Sequence, residues 1–206
     1  VYPNLRDKKN ALKKLQYKEG KYAICLGEFR NKDERNLFLK IADEFRKFNI
    51  YCIAPSFKFD IPHGQISKRW IKQRIKLVLF KLKHPNVIIN IGYISNDLIP
   101  YYYALSDISI IQRLDILNSG NVPLGMYFGN VILGPNVGNV DEILRKTGNP
   151  RFDVNDLRSL KNACKESIEA VKNDKGLQNR EFALKHWKTS DIAEKLYLSY
   201  QSIIKV

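Results

Sequence analysis

Residues 106–144, SDISIIQRLDILNSGNVPLGMYFGNVILGPNVGNVDEIL, spell two successive strand-to-loop-to-helix junctions with glycine at each turn, and no other feature limits the fold so sharply. Residues 107–112 form a short β-branched run suited to a buried parallel strand. Asn118, Ser119 and Gly120 then supply a small-residue turn and a hydroxyl cap for a helix over 122–128. The second unit repeats the pattern, with a strand over 130–133, a break at Gly134-Pro135-Asn136, and Gly138-Asn139 ahead of a helix beginning near Asp141. Free backbone N–H groups at two neighbouring helix starts, at the carboxyl edge of a parallel sheet, make a site for a phosphate-bearing ligand. Strand-glycine-helix turns also serve simply as tight connections in doubly wound sheets, so the spacing leaves both readings open.

The same alternation runs along the chain. Strands are expected over 22–26, 50–54 and 87–91, and a helix over 33–48 carries Leu37, Ile41, Phe45 and Phe48 on its inner face. A loop with Pro55, Pro62 and Gly64 leads into a basic helix, and a turn at 92–95 leads into a helix over 96–105. The tail from 155 reads as helical, broken near 173–176, with an amphipathic close over 190–204. Apolar strands alternating with helices predict an α/β domain, a Rossmann-like parallel sheet with helices on both faces. At 206 residues with 44% apolar, the chain is expected to form a single domain, 1–206, around one core. It begins at Val1 and its one methionine is Met126, so it reads as a piece of a longer protein.

A net charge of +14 calls for an anionic partner, whether a nucleotide diphosphate, an acidic membrane surface or nucleic acid. The densest basic segment is KRWIKQRIKLVLFKLK, residues 68–83, in which Trp70, Ile71, Ile75, Val78, Leu79 and Leu82 share a helical face. The commoner role of such a helix is to pack its apolar stripe on the sheet, and that is the expectation; the rival is a helix lying on acidic lipid. No zinc finger, RNP-type strand or basic zipper supports nucleic-acid binding. No apolar run approaches the roughly 20 residues of a membrane span, and the opening does not resemble a secretory leader. Cys25, Cys52 and Cys164 are scattered and read as reduced thiols. His63, His84 and His186 lie apart from one another and from any carboxylate at ligand spacing, so neither a metal site nor a catalytic triad is expected.

Several segments together resemble the carboxyl-terminal, donor-binding domain of retaining GT-B glycosyltransferases, the large group that includes polysaccharide and lipopolysaccharide enzymes. Residues 22–32 look like that family's first strand and its Gly-Arg/Lys loop; NVIINIGYISNDLIPYYYALSD, residues 86–107, is similar to its base-binding turn and the helix that closes in Ala-Asp. GNVILGPNVGNVDE, residues 129–142, resembles the strand and Gly-rich loop before its Pro-Glu, and HWKTSDIAEKLYLSY, residues 186–200, resembles its closing helix. The family's paired glutamates, eight positions apart, fall here on Ile116 and Leu124, with Asp115 nearby, and Glu28 stands where an arginine is common.

The resemblance implies a nucleotide-sugar donor held as substrate, with no separate cofactor and no metal. It places the diphosphate on Gly27, Arg30, Lys32, Asn118, Ser119, Gly120 and Asn121, and the base on Tyr93 and Ile94. Arg113, Asp115 and Glu142 are further donor-site candidates, and no catalytic residue is assigned. The implied activity is sugar transfer to a glycan or lipid-linked acceptor in surface polysaccharide biosynthesis, in the cytoplasm or peripherally on the inner face of the membrane, with this chain inactive without its amino-terminal partner domain. The alternatives are a noncatalytic GT-B-like module docking on a membrane or partner, and half of a sugar-nucleotide epimerase.

Overall fold

The computed structural model describes residues 7–57, 67–89 and 95–204. Six strands, β1 (Lys21–Ile24), β2 (Ile50–Ala54), β3 (Val87–Ile89), β4 (Ile108–Ile110), β5 (Val131–Pro135) and β6 (Arg151–Phe152), form one sheet in the order β3-β2-β1-β4-β5-β6. All five pairings are parallel. The strands are apolar because both faces of the sheet are covered. Ala23, Cys52, Ile108, Ile110, Val131 and Leu133 turn to one face, while Tyr22, Ile24 and Ile53 turn to the other, the period of two expected of a pleated strand.

On the first face lie α2 (Lys32–Arg46) and α7 (Leu157–Lys172). The Asn31 side chain caps α2 by accepting the Glu34 N–H at 2.9 Å, and Leu37, Phe38, Ile41, Ala42 and Phe45 bury its inner stripe. The second face carries α1 (Lys8–Leu15), α4 (Ile99–Leu105), α5 (Asn121–Tyr127), α6 (Gly138–Thr147) and α8 (Lys175–His186). Tyr103 of α4 stacks on Phe128 at 5.2 Å. The buried Asn179 side chain ties α8 to β5 by donating to the Asn130 carbonyl at 2.8 Å. At the carboxyl terminus, α9 (Thr189–Ile204) leaves Leu196, Tyr197, Leu198 and Tyr200 exposed.

Several boundaries differ from the sequence reading. Helix α1 precedes the alternation; its start is capped by Asp7, and Lys8 reaches Asp107 at 2.8 Å, which anchors it to α4 and the foot of β4. Gly134 and Pro135 continue β5 rather than breaking it, because β6 supplies a pairing partner and the Phe152 carbonyl accepts the Asn136 N–H at 2.8 Å. Helix α6 begins at Gly138, not near Asp141.

The largest correction concerns α3 (Lys68–Lys83). Ile71, Ile75, Val78, Leu79 and Leu82 share a face as expected, but Trp70 falls on the side of Leu77, one heptad away, and the shared face does not meet the sheet. Leu77 is buried and Phe80 packs against Phe57, whereas Ile71, Ile75, Val78, Leu79 and Leu82 are exposed. The contact uses the opposite side, where Phe80 packs on Phe57 in the same cluster as the inner face of α2.

Candidate functional site

The chain runs outward through β1, β2 and β3, then returns to place β4 on the other side of β1. The connections leaving the carboxyl ends of β1 and β4 therefore diverge to opposite sides, opening a crevice at the point where ligands bind in open α/β sheets. Residues 25–31 form one lip of this crevice and residues 111–120 the other.

Gly27 makes the first turn possible. Its φ of +110° is one that a side chain rarely adopts, and an added Cβ would lie 3.4 Å from Asn121 Nδ2, 3.7 Å from Gln112 Nε2 and 3.9 Å from Arg113 Nη2. Three nitrogen donors thus converge on one bare stretch of backbone. Asn121 bridges the lips by donating to the Leu26 carbonyl at 2.6 Å, and Gln112 donates to the Glu28 carbonyl at 3.4 Å. Each amide nitrogen keeps a second hydrogen for another acceptor.

Glu34 ties the two lips together, and the sequence reading missed it. Its buried carboxylate accepts the Arg30 backbone N–H at 2.8 Å and takes the Arg113 guanidinium at 2.9 and 3.2 Å. The signal was present locally: Asn31 followed by glutamate three positions on is the pattern of a capping box. What the pattern does not reveal is the arginine supplied from 79 residues away. Arg113, a donor-site candidate, is thereby held in place and partly neutralised. Arg30 on the first lip and Lys32 at the start of α2 are both exposed, and Arg30 Nη1 reaches the Asp115 carbonyl at 3.5 Å.

The remaining predicted residues are disposed unequally. Gly120 is the N-cap of α5, with open space around the position of an added Cβ. Ser119 does not cap α5 with its hydroxyl; its carbonyl accepts the Val122 N–H at 3.2 Å, because the helix starts one residue earlier than the spacing suggests. Asn118 turns away, accepting from the Asn139 side chain at 2.9 Å. The second helix start is used by the chain itself: the Leu117 carbonyl accepts the Asn139 N–H at 2.8 Å, and a Cβ on Gly138, whose φ is +53°, would fall 2.3 Å from the Ile116 carbonyl. Glu142 is exposed on α6. Tyr93 and Ile94 lie outside the described residues.

Ile116 and Leu124, where the resembled family carries glutamates, are partly buried in apolar clusters, so those two positions serve packing. Beneath the crevice Cys25 is fully buried, and burial pushes its thiol well up; Cys52 is raised likewise, and Cys164 is pushed up to about 12. All three stay protonated near neutral pH and pack as small apolar groups. His84 is not isolated from carboxylates, since the fold brings its Nδ1 to 3.2 Å from Asp43. Among the described residues no three His, Cys, Asp or Glu side chains cluster in a way that could hold a metal ion. A cavity of about 250 Å³ lies near Asp107 and Gly129 at the opposite edge of the sheet, and another of about 640 Å³ runs beside α2 and the 153–157 segment and reaches Leu114 of the second lip.

No protein-family model and no curated protein matched the sequence. Solved structures did. The chain is similar to sucrose-phosphate synthase from Thermosynechococcus elongatus, with a TM-score of 0.71 and 15% identity over 96% of this chain and 49% of that one. It is similar to the catalytic domain of starch synthase IV from Arabidopsis thaliana, solved with ADP and acarbose, with a TM-score of 0.70 and 12% identity over 99% of this chain and 43% of that one. The carboxyl-terminal domain of the group 1 glycosyltransferase LpcC from Francisella tularensis matches with a TM-score of 0.64 and 12% identity, over 89% of this chain and 94% of that domain. The chain therefore shares the α/β, Rossmann-like fold of these glycosyltransferase domains. The chain spans about half the length of the first two of these relatives.

Proposed function

We propose that the chain is the donor-binding half of a glycosyltransferase and holds a nucleotide-sugar by its diphosphate in the crevice between the β1 and β4 connections. The observation that carries this reading is the convergence of Asn121, Gln112 and Arg113 nitrogens on the bare backbone of Gly27, at the switch point of the sheet. Helix α5 has only seven residues, so the partial positive charge at its start is small and side-chain cations carry more of the work here. As a nucleoside diphosphate departs, negative charge grows on its oxygens. Arg30, Lys32 and the fork of Arg113 would stabilise that charge where it develops, with the Asn121 and Gln112 amides as preorganised donors.

The acceptor in this proposal is a glycan or lipid-linked sugar of surface polysaccharide biosynthesis, bound by a second domain that faces the crevice. Three free thiols fit a reducing compartment, and the proposal places the domain in the cytoplasm. A noncatalytic module is the second reading, and the apolar side chains at 116 and 124 favour it, since no carboxylate stands there to hold a ribose.

Calorimetric titration with ADP, UDP and GDP tests the donor site. One of the three is expected to bind in the high micromolar range or weaker, about −4 to −6 kcal/mol. Gly120→Val fills open space at the mouth and is expected to abolish binding without unfolding the domain, because the residue has φ −62° and its Cβ meets no atom within 4 Å. Arg30→Ala is expected to weaken binding several-fold, and Lys76→Ala on α3 to leave it unchanged. Absence of binding, or equal loss from Lys76→Ala and Gly120→Val, would sink the reading.

A further inference from the structure

The exposed face of α3 is the feature that the donor reading does not use. Ser67 caps the helix by accepting the Trp70 N–H at 3.1 Å, and Leu77 and Phe80 hold it to the domain. On the opposite side Ile71, Ile75, Val78, Leu79 and Leu82 are between 45% and 73% exposed. Their spacing of 4, 3, 1 and 3 residues places them on one continuous stripe of a helix. Isolated exposed aliphatics are ordinary, but five on one stripe form a contiguous apolar patch of the kind that marks an interaction surface.

What borders the stripe identifies its partner. At about 100° per residue, Lys72, Lys76 and Lys83 fall along one flank and Arg74 and Lys81 along the other, while Lys68 stands at the amino-terminal end of the stripe itself. The helix holds seven Lys and Arg and no Asp or Glu, so it contributes 7 of the chain's net +14. A second copy docking through the same face would bring seven like charges against seven, which opposes self-association. Nucleic acid would satisfy the cations and leave the aliphatic stripe in water. A surface that is apolar just below a layer of negative charge satisfies both. Lys68, Ile71, Lys72, Ile75 and Lys76 line one shallow recess, so cations and aliphatics are offered at the same height.

We infer that α3 is a membrane-surface element that lies flat on a bilayer rich in anionic phospholipid, its stripe among the upper acyl carbons and its flanking cations on the headgroup phosphates. At 1.5 Å per residue the helix would contact about 24 Å of that surface. It does not span the bilayer, and among the described residues no helix is long and apolar enough to do so. The inference stands independently of the donor site, and substitutions in the crevice leave it untouched.

Flotation of the chain with vesicles tests it, using equal parts phosphatidylglycerol and phosphatidylcholine against phosphatidylcholine alone. Binding to the mixed vesicles is expected to be at least about tenfold stronger and to fall as salt is raised. Ile75→Ser with Leu79→Ser, and separately Lys72→Ser with Lys76→Ser, should each reduce it by about tenfold or more, while circular dichroism stays that of the parent. Ile75→Cys carries the one accessible thiol among the described residues, and an environment-sensitive dye placed there should shift to the blue on the mixed vesicles. Absence of binding to both vesicle types overturns the inference, and so does equal binding to both. A concentration-dependent dimer that the Ile75→Ser, Leu79→Ser pair dissolves, without vesicle binding, would reassign the face to a second copy. Retention only by an acidic protein, with vesicles ignored, would reassign it to that partner.

Discussion

Glu34 joins the two loops that frame the crevice, and its removal reports on the whole arrangement. Its side chain is 2% exposed and that of Arg113 is 17% exposed, so the pair sits largely out of water. Glu34→Ala would strand the Arg113 charge and free the Arg30 N–H, a change expected to cost about 3 kcal/mol. Glu34→Gln, which keeps an acceptor but not the charge, should cost less. Urea unfolding of both variants measures the difference, and a loss below about 1 kcal/mol for Glu34→Ala would mean that Arg113 finds water instead. If nucleotide affinity in Glu34→Gln rises while stability falls, the released Arg113 is a phosphate ligand that Glu34 restrains. At this scale residue type was easily read and pairing was not. The chain shows an Asn-x-x-Glu cap at 31–34 and an arginine at 113, but nothing local connects them.

Elements are held by contacts between their faces, and α5 shows how tight these are. Gly125 lies against β4 and β5, where an added Cβ would fall 2.7 Å from Ser109 Oγ and 2.8 Å from Ile132 Cδ1. Gly125→Ala is therefore expected to push α5 off the sheet and cost about 1 to 3 kcal/mol. Thermal unfolding would show it, and an unchanged midpoint would mean that Ser109 swings clear. Because α5 carries Asn121 at its start, the same variant should weaken nucleotide binding more than its stability loss explains. Helix α3 teaches the complementary lesson. Periodicity correctly grouped its aliphatic residues, but a grouping does not say which side of the helix meets the sheet. Leu77 and Phe80, two residues among seven cations and five exposed aliphatics, set the docking side, Leu77 by its burial and Phe80 by packing on Phe57.

For the whole molecule, the half-length match to its structural relatives bears on activity. If the proposed function is right, residues 1–206 hold a donor but cannot orient an acceptor against it, and the positioning that lowers the barrier by several kcal/mol is missing. No sugar transfer is expected from this chain alone. Joined to a domain that faces the crevice, it should transfer, and Arg30→Ala with Ser119→Ala should then slow turnover by about one to three orders of magnitude. Transfer by the 206 residues in a radiolabelled-sugar assay would refute the half-enzyme proposal. An extended protein that is inert toward every nucleotide-sugar would favour the noncatalytic module.

The alternation of apolar strands and capped helices determined the parallel α/β sheet, because each element's period is written within a few consecutive residues. The bare glycine at 27 and the apolar residues at 116 and 124 were equally visible, since each depends on residue type alone. Tertiary structure alone decided that β4 returns beside β1, which makes the crevice, and that Arg113 meets Glu34 across it. It also decided that the Leu117 carbonyl closes the start of α6 and that α3 turns its aliphatic stripe outward. These outcomes depend on contacts between residues far apart in the chain, and they are settled only when the whole sheet and its helices compete for the same space.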